Sequence, residues 1–188
     1  LYGEGSVALR PGLLATAGAR VTRSALGGEA ADVVPTIAAL RAGVVADRVE
    51  TAVLPSASLV ATVLQRTSLY VRYQQGFRPG GLAIESDFVR RFANDRIATL
   101  ETGVRHGRPG LDAFDLSASL AYTRWRDIQA DFIDGFGLPS TANIGNGRIW
   151  TAGINAGVRI APGLRLEAAL VYNDSEVTEP QAELARLL

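Results

Sequence analysis

His106 is the only histidine in the 188-residue chain, and there is no cysteine. That removes thiolate nucleophiles, Ser-His and Cys-His relays, Cys-ligated metal sites and disulfide scaffolds. His106 stands beside Gly107, Arg108 and Pro109 and reads as an exposed turn residue. Asp127, Asp131 and Asp134 lie close in sequence, and calcium takes carboxylate ligands. The spacing of an EF-hand loop is absent, so loop solvation is the simpler reading and no metal site is expected. Gly80-Gly81 and Gly145-Asn146-Gly147 invite a phosphate cradle, but all 19 basic residues are Arg and no Lys-bearing helix follows either cluster. Turn formation at strand–loop junctions is expected there instead. Arg78, Arg90, Arg91 and Arg96 concentrate positive charge in one segment. Guanidinium forks match carboxylate and other oxygen anions; the competing reading is salt bridging to the nearby Glu85, Asp87 and Asp95. The chemistry left to this chain is recognition rather than catalysis, and no cofactor is implied.

Acidic residues also number 19, so the formal net charge is zero, which argues against a nucleic-acid partner. An apolar share of 47% excludes a disordered chain. The longest uncharged stretch, Thr51 to Gln65, contains Pro55 and is too short for a membrane helix. A chain this apolar makes sense if its apolar residues are distributed by alternation.

Alternation is what the sequence shows. Phe114, Leu116, Ala118, Leu120 and Tyr122 alternate with Asp115, Ser117, Ser119, Ala121 and Thr123. Leu164 to Asn173, Leu69 to Gln74 and Trp150 to Ile160 do the same. Eight strands are predicted, at about 2–10, 13–23, 51–63, 67–77, 96–106, 112–129, 147–160 and 163–176. Pro55 demotes its strand to an edge, a bulge or a strand start. Pro11-Gly12-Leu13, Pro109-Gly110-Leu111 and Pro162-Gly163-Leu164 repeat one tight-turn signature, and Leu64-Gln65-Arg66-Thr67 makes a fourth short connection. The other connections, 24–50, 78–95 and 130–146, read as long loops. Short turns at one end and long loops at the other are the pattern of an outer-membrane barrel with periplasmic turns and extracellular loops. On that orientation Tyr73, Tyr122, Trp150 and Tyr172 fall near the outer end of the apolar face, as an interfacial girdle. The polar face carries Glu4, Arg20, Arg72, Glu101, Arg105, Arg159, Arg165 and Glu167, which suits a wet or plugged lumen. A soluble antiparallel sandwich also alternates, but its strands are usually five or six residues long.

Several segments carry a family resemblance. Leu69-Tyr70-Val71-Arg72-Tyr73-Gln74-Gln75-Gly76-Phe77-Arg78-Pro79-Gly80-Gly81 resembles the Y-x-x-G-F-R-x-G segment of TonB-dependent outer-membrane receptors. In order along the chain, Tyr2-Gly3-Glu4 with Ala17-Gly18-Ala19-Arg20, Leu100 to Arg105, Tyr122 to Gln129 and Asn143 to Ile149 resemble further motifs of that family. The resemblance implies a transmembrane β-barrel of about 22 strands with a plugged lumen, working in active uptake. It implies location in the outer membrane of a Gram-negative bacterium. It further implies contact with outer-membrane lipid, energy coupling to the TonB complex through the plug, and a small-molecule metal chelate such as a ferric siderophore as substrate. Substrate contact is then expected at Gln74, Arg78, Trp125 and Asp127, on or near lumen-facing positions at outer strand ends.

The fold expected is therefore all-β: an antiparallel transmembrane barrel portion of about eight up-and-down strands. Residues 1–188 are expected to be an internal slice of one barrel domain, with the plug and the C-terminal strands absent, and to form a curved open sheet in isolation. The alternatives are a complete small eight-stranded outer-membrane barrel with a structural or adhesive role, or a soluble β-sandwich binding module.

Overall fold

The computed structural model describes residues 1–26, 48–84, 89–133, 137 and 139–180, with the side chains of 82–84 and 89–91 outside that description. The described residues contain ten strands and no helix. They are β1 (Tyr2–Arg10), β2 (Leu13–Leu26), β3 (Arg48–Leu64), β4 (Thr67–Arg78), β5 (Gly81–Ile84), β6 (Val89–Phe92), β7 (Asp95–His106), β8 (Phe114–Ile133), β9 (Pro139–Ala161) and β10 (Leu164–Pro180). Eight of them make one antiparallel sheet in the order β1-β2-β3-β4-β7-β8-β9-β10, and β5 pairs with β6 in a small separate hairpin.

The strands end where the sequence supplies turn chemistry. Gly12, Gly110 and Gly163 take φ of 78°, 76° and 79° after their prolines, a region that costs other residues strain. In the fourth turn Arg66 occupies the same region, with φ of 64°. Pro55 does not end its strand. It lies opposite Ala19 on β2, one residue beyond the last β4 pair, Ser56 with Gln74. β3 is thus an interior strand that becomes an edge toward β4 just where the proline sits, and a missing ladder donor is tolerated there.

Two predicted long loops are largely ordered as strand. The connection 78–95 contains the β5–β6 hairpin. The connection 130–146 is mostly absorbed by a tall hairpin in which β8 runs for 20 residues and β9 for 23. Gly145-Asn146-Gly147 lies within β9 rather than at a loop junction. Gly145 is required there, because a side chain on it would meet the Glu179 carbonyl oxygen of β10. The predicted loop 24–50 falls for the most part on 27–47, outside the described residues.

Among the described residues, the only buried apolar side chains are Ala52, Ile128 and Ala142. Among the described residues, no second sheet covers the apolar face of the large one. That overturns the soluble sandwich, which needs two sheets packed about 10 Å apart. Among the described residues β1 pairs only with β2 and β10 only with β9, so the eight strands form an open sheet rather than a closed small barrel.

Cross-strand partners in an antiparallel sheet share a face. The register therefore sorts every strand residue to one face. Val71, Tyr73, Leu100, Leu120, Tyr122, Trp150, Leu170 and Tyr172 fall on the apolar face. Tyr70, Arg72, Gln74, Thr99, Glu101, Thr123 and Thr151 fall on the other.

Candidate functional site

The polar face carries separate clusters of hydrogen bonds and ion pairs along its length. At the short-turn end Arg165 bridges Asp115 and reaches Glu167 at 2.8 Å. Asp112, in the β7–β8 turn, accepts from the Arg108 backbone N–H at 2.8 Å and pairs with Arg66 at 3.0 Å. Desolvation pushes the Asp112 carboxyl up, but the Arg108 N–H and the Arg108 and Arg66 guanidiniums outweigh it and hold the group below its ordinary value. Halfway along, the Tyr70 hydroxyl donates to Glu101 at 2.5 Å, Arg72 donates to the other Glu101 oxygen at 2.8 Å, and Arg105 lies 5.1 Å over the Tyr70 ring. The Thr99 and Thr123 hydroxyls share a 2.9 Å hydrogen bond further out.

Three of the four predicted substrate contacts occupy successive rows of this face. Gln74 sits opposite Thr99, Trp125 opposite Ile97 in the next row outward, and Arg78 opposite Asp95 beyond that. Rows on one face are roughly 7 Å apart along a strand, so the three span a length suited to one small ligand. The Arg78 guanidinium donates to Asp95 through Nε at 2.9 Å and Nη2 at 2.6 Å, and to the Gln129 carbonyl at 2.9 Å. The salt-bridge alternative is therefore what Asp95 realises, although half of the Arg78 side chain stays open to solvent. Trp125 has a buried indole N–H with no acceptor among the described residues.

Asp127 is held differently. β8 bulges between Trp125 and Ile128, and Asp127 takes φ of 52°. Its backbone N–H donates to Asn146 Oδ1 at 3.0 Å, and its carbonyl accepts from Asn143 Nδ2 at 2.6 Å. The bulge re-aims the strand and leaves the Asp127 side chain exposed.

Sequence reading missed the centre of the outer end. Gln129 Nε2 donates to the carbonyls of Pro79 and Ala93 at 3.0 and 2.9 Å. Asn143 accepts from the Ala93 N–H at 2.6 Å and donates back to the Ala93 carbonyl at 3.0 Å. Glu50 accepts from the Gly80 N–H at 3.1 Å. These side chains clamp both feet of the β5–β6 hairpin to the sheet. The signal was the amide and carboxylate content of otherwise β-forming segments, which becomes informative only once the register is known.

His106 is not a free turn residue. It ends β7, its Nδ1 lies 2.8 Å from Thr67 Oγ1, and its ring packs 5.8 Å from Phe114. Of the three clustered carboxylates, Asp131 accepts from Thr141 at 2.7 Å and Asp134 lies outside the described residues. The Arg90 and Arg91 side chains also lie outside them.

On the apolar face, Tyr73, Leu100, Tyr122 and Trp150 form one cross-strand row, with the Tyr122 and Trp150 rings 4.7 Å apart. Tyr172 pairs with Ala152, one row toward the short turns.

Known structures share this arrangement. The ferric yersiniabactin uptake receptor FyuA from Yersinia pestis superposes with a TM-score of 0.67 at 17% identity, over 95% of this chain and 27% of that one. The FrpB iron transporter from Neisseria meningitidis gives 0.71 at 15% identity, over 100% and 27%. The copper transporter OprC gives 0.71 at 16% identity, over 94% and 28%. At such identities the likeness shows the fold alone, and the chain spans about a quarter of the length of these relatives. No curated protein matches the chain. The family model described as TonB dependent receptor-like, beta-barrel, matches residues 1–186. The chain belongs to the TonB-dependent receptor β-barrel family, whose members are transporters rather than enzymes.

Proposed function

We propose that residues 1–188 are a contiguous part of the barrel wall of an outer-membrane active-transport receptor. The plug and the remaining strands belong to the rest of that receptor. It takes up a scarce substrate, a ferric siderophore or similar metal chelate, with energy from the TonB system acting through the plug. The observation that carries the reading is the polar face at the long-loop end. Gln74, Trp125 and Arg78 lie there in successive rows. A half-exposed guanidinium is a donor suited to an oxygen-rich anionic chelate, and beside it the Trp125 indole N–H has no acceptor among the described residues. Asp127 stands beside them at the bulge, where its exposed carboxylate discriminates among chelates by charge.

Iron chelates and copper are both carried by relatives of this fold, so the test compares the two. Cells lacking the full-length receptor are grown under iron limitation with single ferric siderophores, and under copper limitation. The reading expects the loss of growth on one ferric chelate, and the same loss when the protonmotive force is collapsed. Arg78→Ala in the full-length receptor is expected to weaken binding of that chelate about tenfold or more. A receptor whose absence changes copper uptake alone overturns the siderophore assignment.

A further inference from the structure

Directly outward of the Tyr73–Leu100–Tyr122–Trp150 row, the apolar face turns basic. The next row runs Gln75, Ala98, Arg124, Arg148 and Glu176, and the row beyond it holds Phe77, Arg96 and Arg126. Four guanidiniums thus share the membrane-facing side just above its aromatic belt, at the level where lipid headgroups lie. A groove of about 360 Å³ opens on this face between β4, β7 and β8. Leu100 and Ala98 line its floor, Tyr73 and Tyr122 its membrane-side end, and Arg96, Arg124 and Arg126 its outer end.

Among the described residues, three charges at the groove have no counter-ion. Arg148 pairs with Glu176 at 2.6 Å. The side chains of Arg96, Arg124 and Arg126 are exposed and make no hydrogen bond or ion pair to any described residue. Arg96 lies directly opposite Arg126, and Arg124 directly opposite Arg148. Like charges in directly opposed positions destabilise a sheet unless an anion lies between them. A guanidinium triad at headgroup depth, with an apolar floor continuous with the lipid-facing surface, matches an amphiphile with phosphate at its head.

We propose that this groove is a binding site for a phosphorylated lipid of the leaflet on the long-loop side. Its phosphate groups are held by Arg96, Arg124 and Arg126, and an acyl chain lies along Leu100 between Tyr73 and Tyr122. The site is on the opposite face from Gln74, Arg72 and Glu101 and does not depend on which substrate the receptor carries.

The test uses the full-length receptor, purified in mild detergent and titrated with diphosphorylated lipid A or with the same lipid after removal of both phosphates. Native mass spectrometry reads the retained lipid. The wild-type protein is expected to retain the phosphorylated form at least tenfold more strongly. The triple variant R96Q/R124Q/R126Q should lose that preference, the corresponding triple Lys variant should keep most of it, and R72Q on the other face should behave as wild type. Equal retention of the two lipids by the wild-type protein overturns the proposal, and that comparison stands even where the triple Gln variant does not fold. Competition by inorganic phosphate at low millimolar concentration also overturns it, since the site then holds a soluble anion.

Discussion

Replacing Gly103 with alanine tests the register of the polar face directly. Gly103 lies on β7 opposite Tyr70 of β4 and Ser119 of β8. A methyl group there would stand 2.7 Å from the Tyr70 ring and 2.5 Å from the Ala118 carbonyl oxygen. Ordinary carbon contacts begin at about 3.5 Å, so the ring must move by roughly 1 Å. A shift of that size breaks the 2.5 Å bond from the Tyr70 hydroxyl to Glu101. Losing a hydrogen bond to a charged acceptor in this half-exposed position costs about 1–3 kcal/mol. The carbonyl belongs to the backbone and cannot swing away, which adds about 1–3 kcal/mol of overpacking. Alanine recovers about 0.5–1 kcal/mol of chain entropy. The net expectation is a loss of about 1–5 kcal/mol, read from guanidinium unfolding of the full-length receptor in lipid vesicles. The cycle with Tyr70→Ala separates the two causes. In the Y70A background the ring term vanishes and the carbonyl term stays, so the penalty should shrink without disappearing. A G103A variant within 0.5 kcal/mol of wild type in both backgrounds would refute the reasoning, because Tyr70 and Gly103 would then not share a face.

Two further outcomes are expected. Trp125 and Trp150 lie on opposite faces, so in the full-length receptor brominated lipid should quench the emission that W150F removes and leave nearly unchanged the emission that W125F removes; equal quenching of the two would contradict the assignment of faces. Asp112 has a folded-state pKa below its unfolded one, so its stabilising effect is complete above about pH 4 and is lost as pH falls through the folded value. Asp112→Asn should accordingly lower unfolding stability at pH 7 and make little difference near pH 2, and a penalty that is the same at both values would sink the electrostatic account.

The membrane-crossing part of the sheet was legible because lipid on one side and water on the other impose strict alternation on every strand. Leu116 to Tyr122 and Leu164 to Tyr172 carry that signature, and both lie in strands of the large sheet. The outer halves of β8 and β9 were not legible, since beyond the membrane both faces meet water and the period of two fades. There the strand is held by particular polar bonds, Thr141 to Asp131 and Asn143 to the Asp127 carbonyl, which no pattern announces. Arg78 shows the same limit at the candidate site. Its sequence context suggested a ligand contact or a salt bridge, and only the register shows Asp95 directly opposite. Pro55 marks where a pairing stops, but the sequence alone does not tell which neighbour it stops against.

The neighbour order of the large sheet also bears on how it assembles. Every strand pairs with the one next in sequence, except that β4 passes over the β5–β6 hairpin to reach β7. Contacts of short sequence separation form early and fast, and the loops they close cost little entropy. Each hairpin can therefore template the next, with no distant segment awaited. Among the described residues β1 pairs only with β2 and β10 only with β9, so each turns one row of backbone donors and acceptors toward whatever strand lies beside it. For this part of the wall the slower step is then pairing across its two outer edges rather than the growth of the sheet between them. Substitutions along β1 and β10 should act on assembly rate and aggregation more than substitutions of the same size in the interior strands.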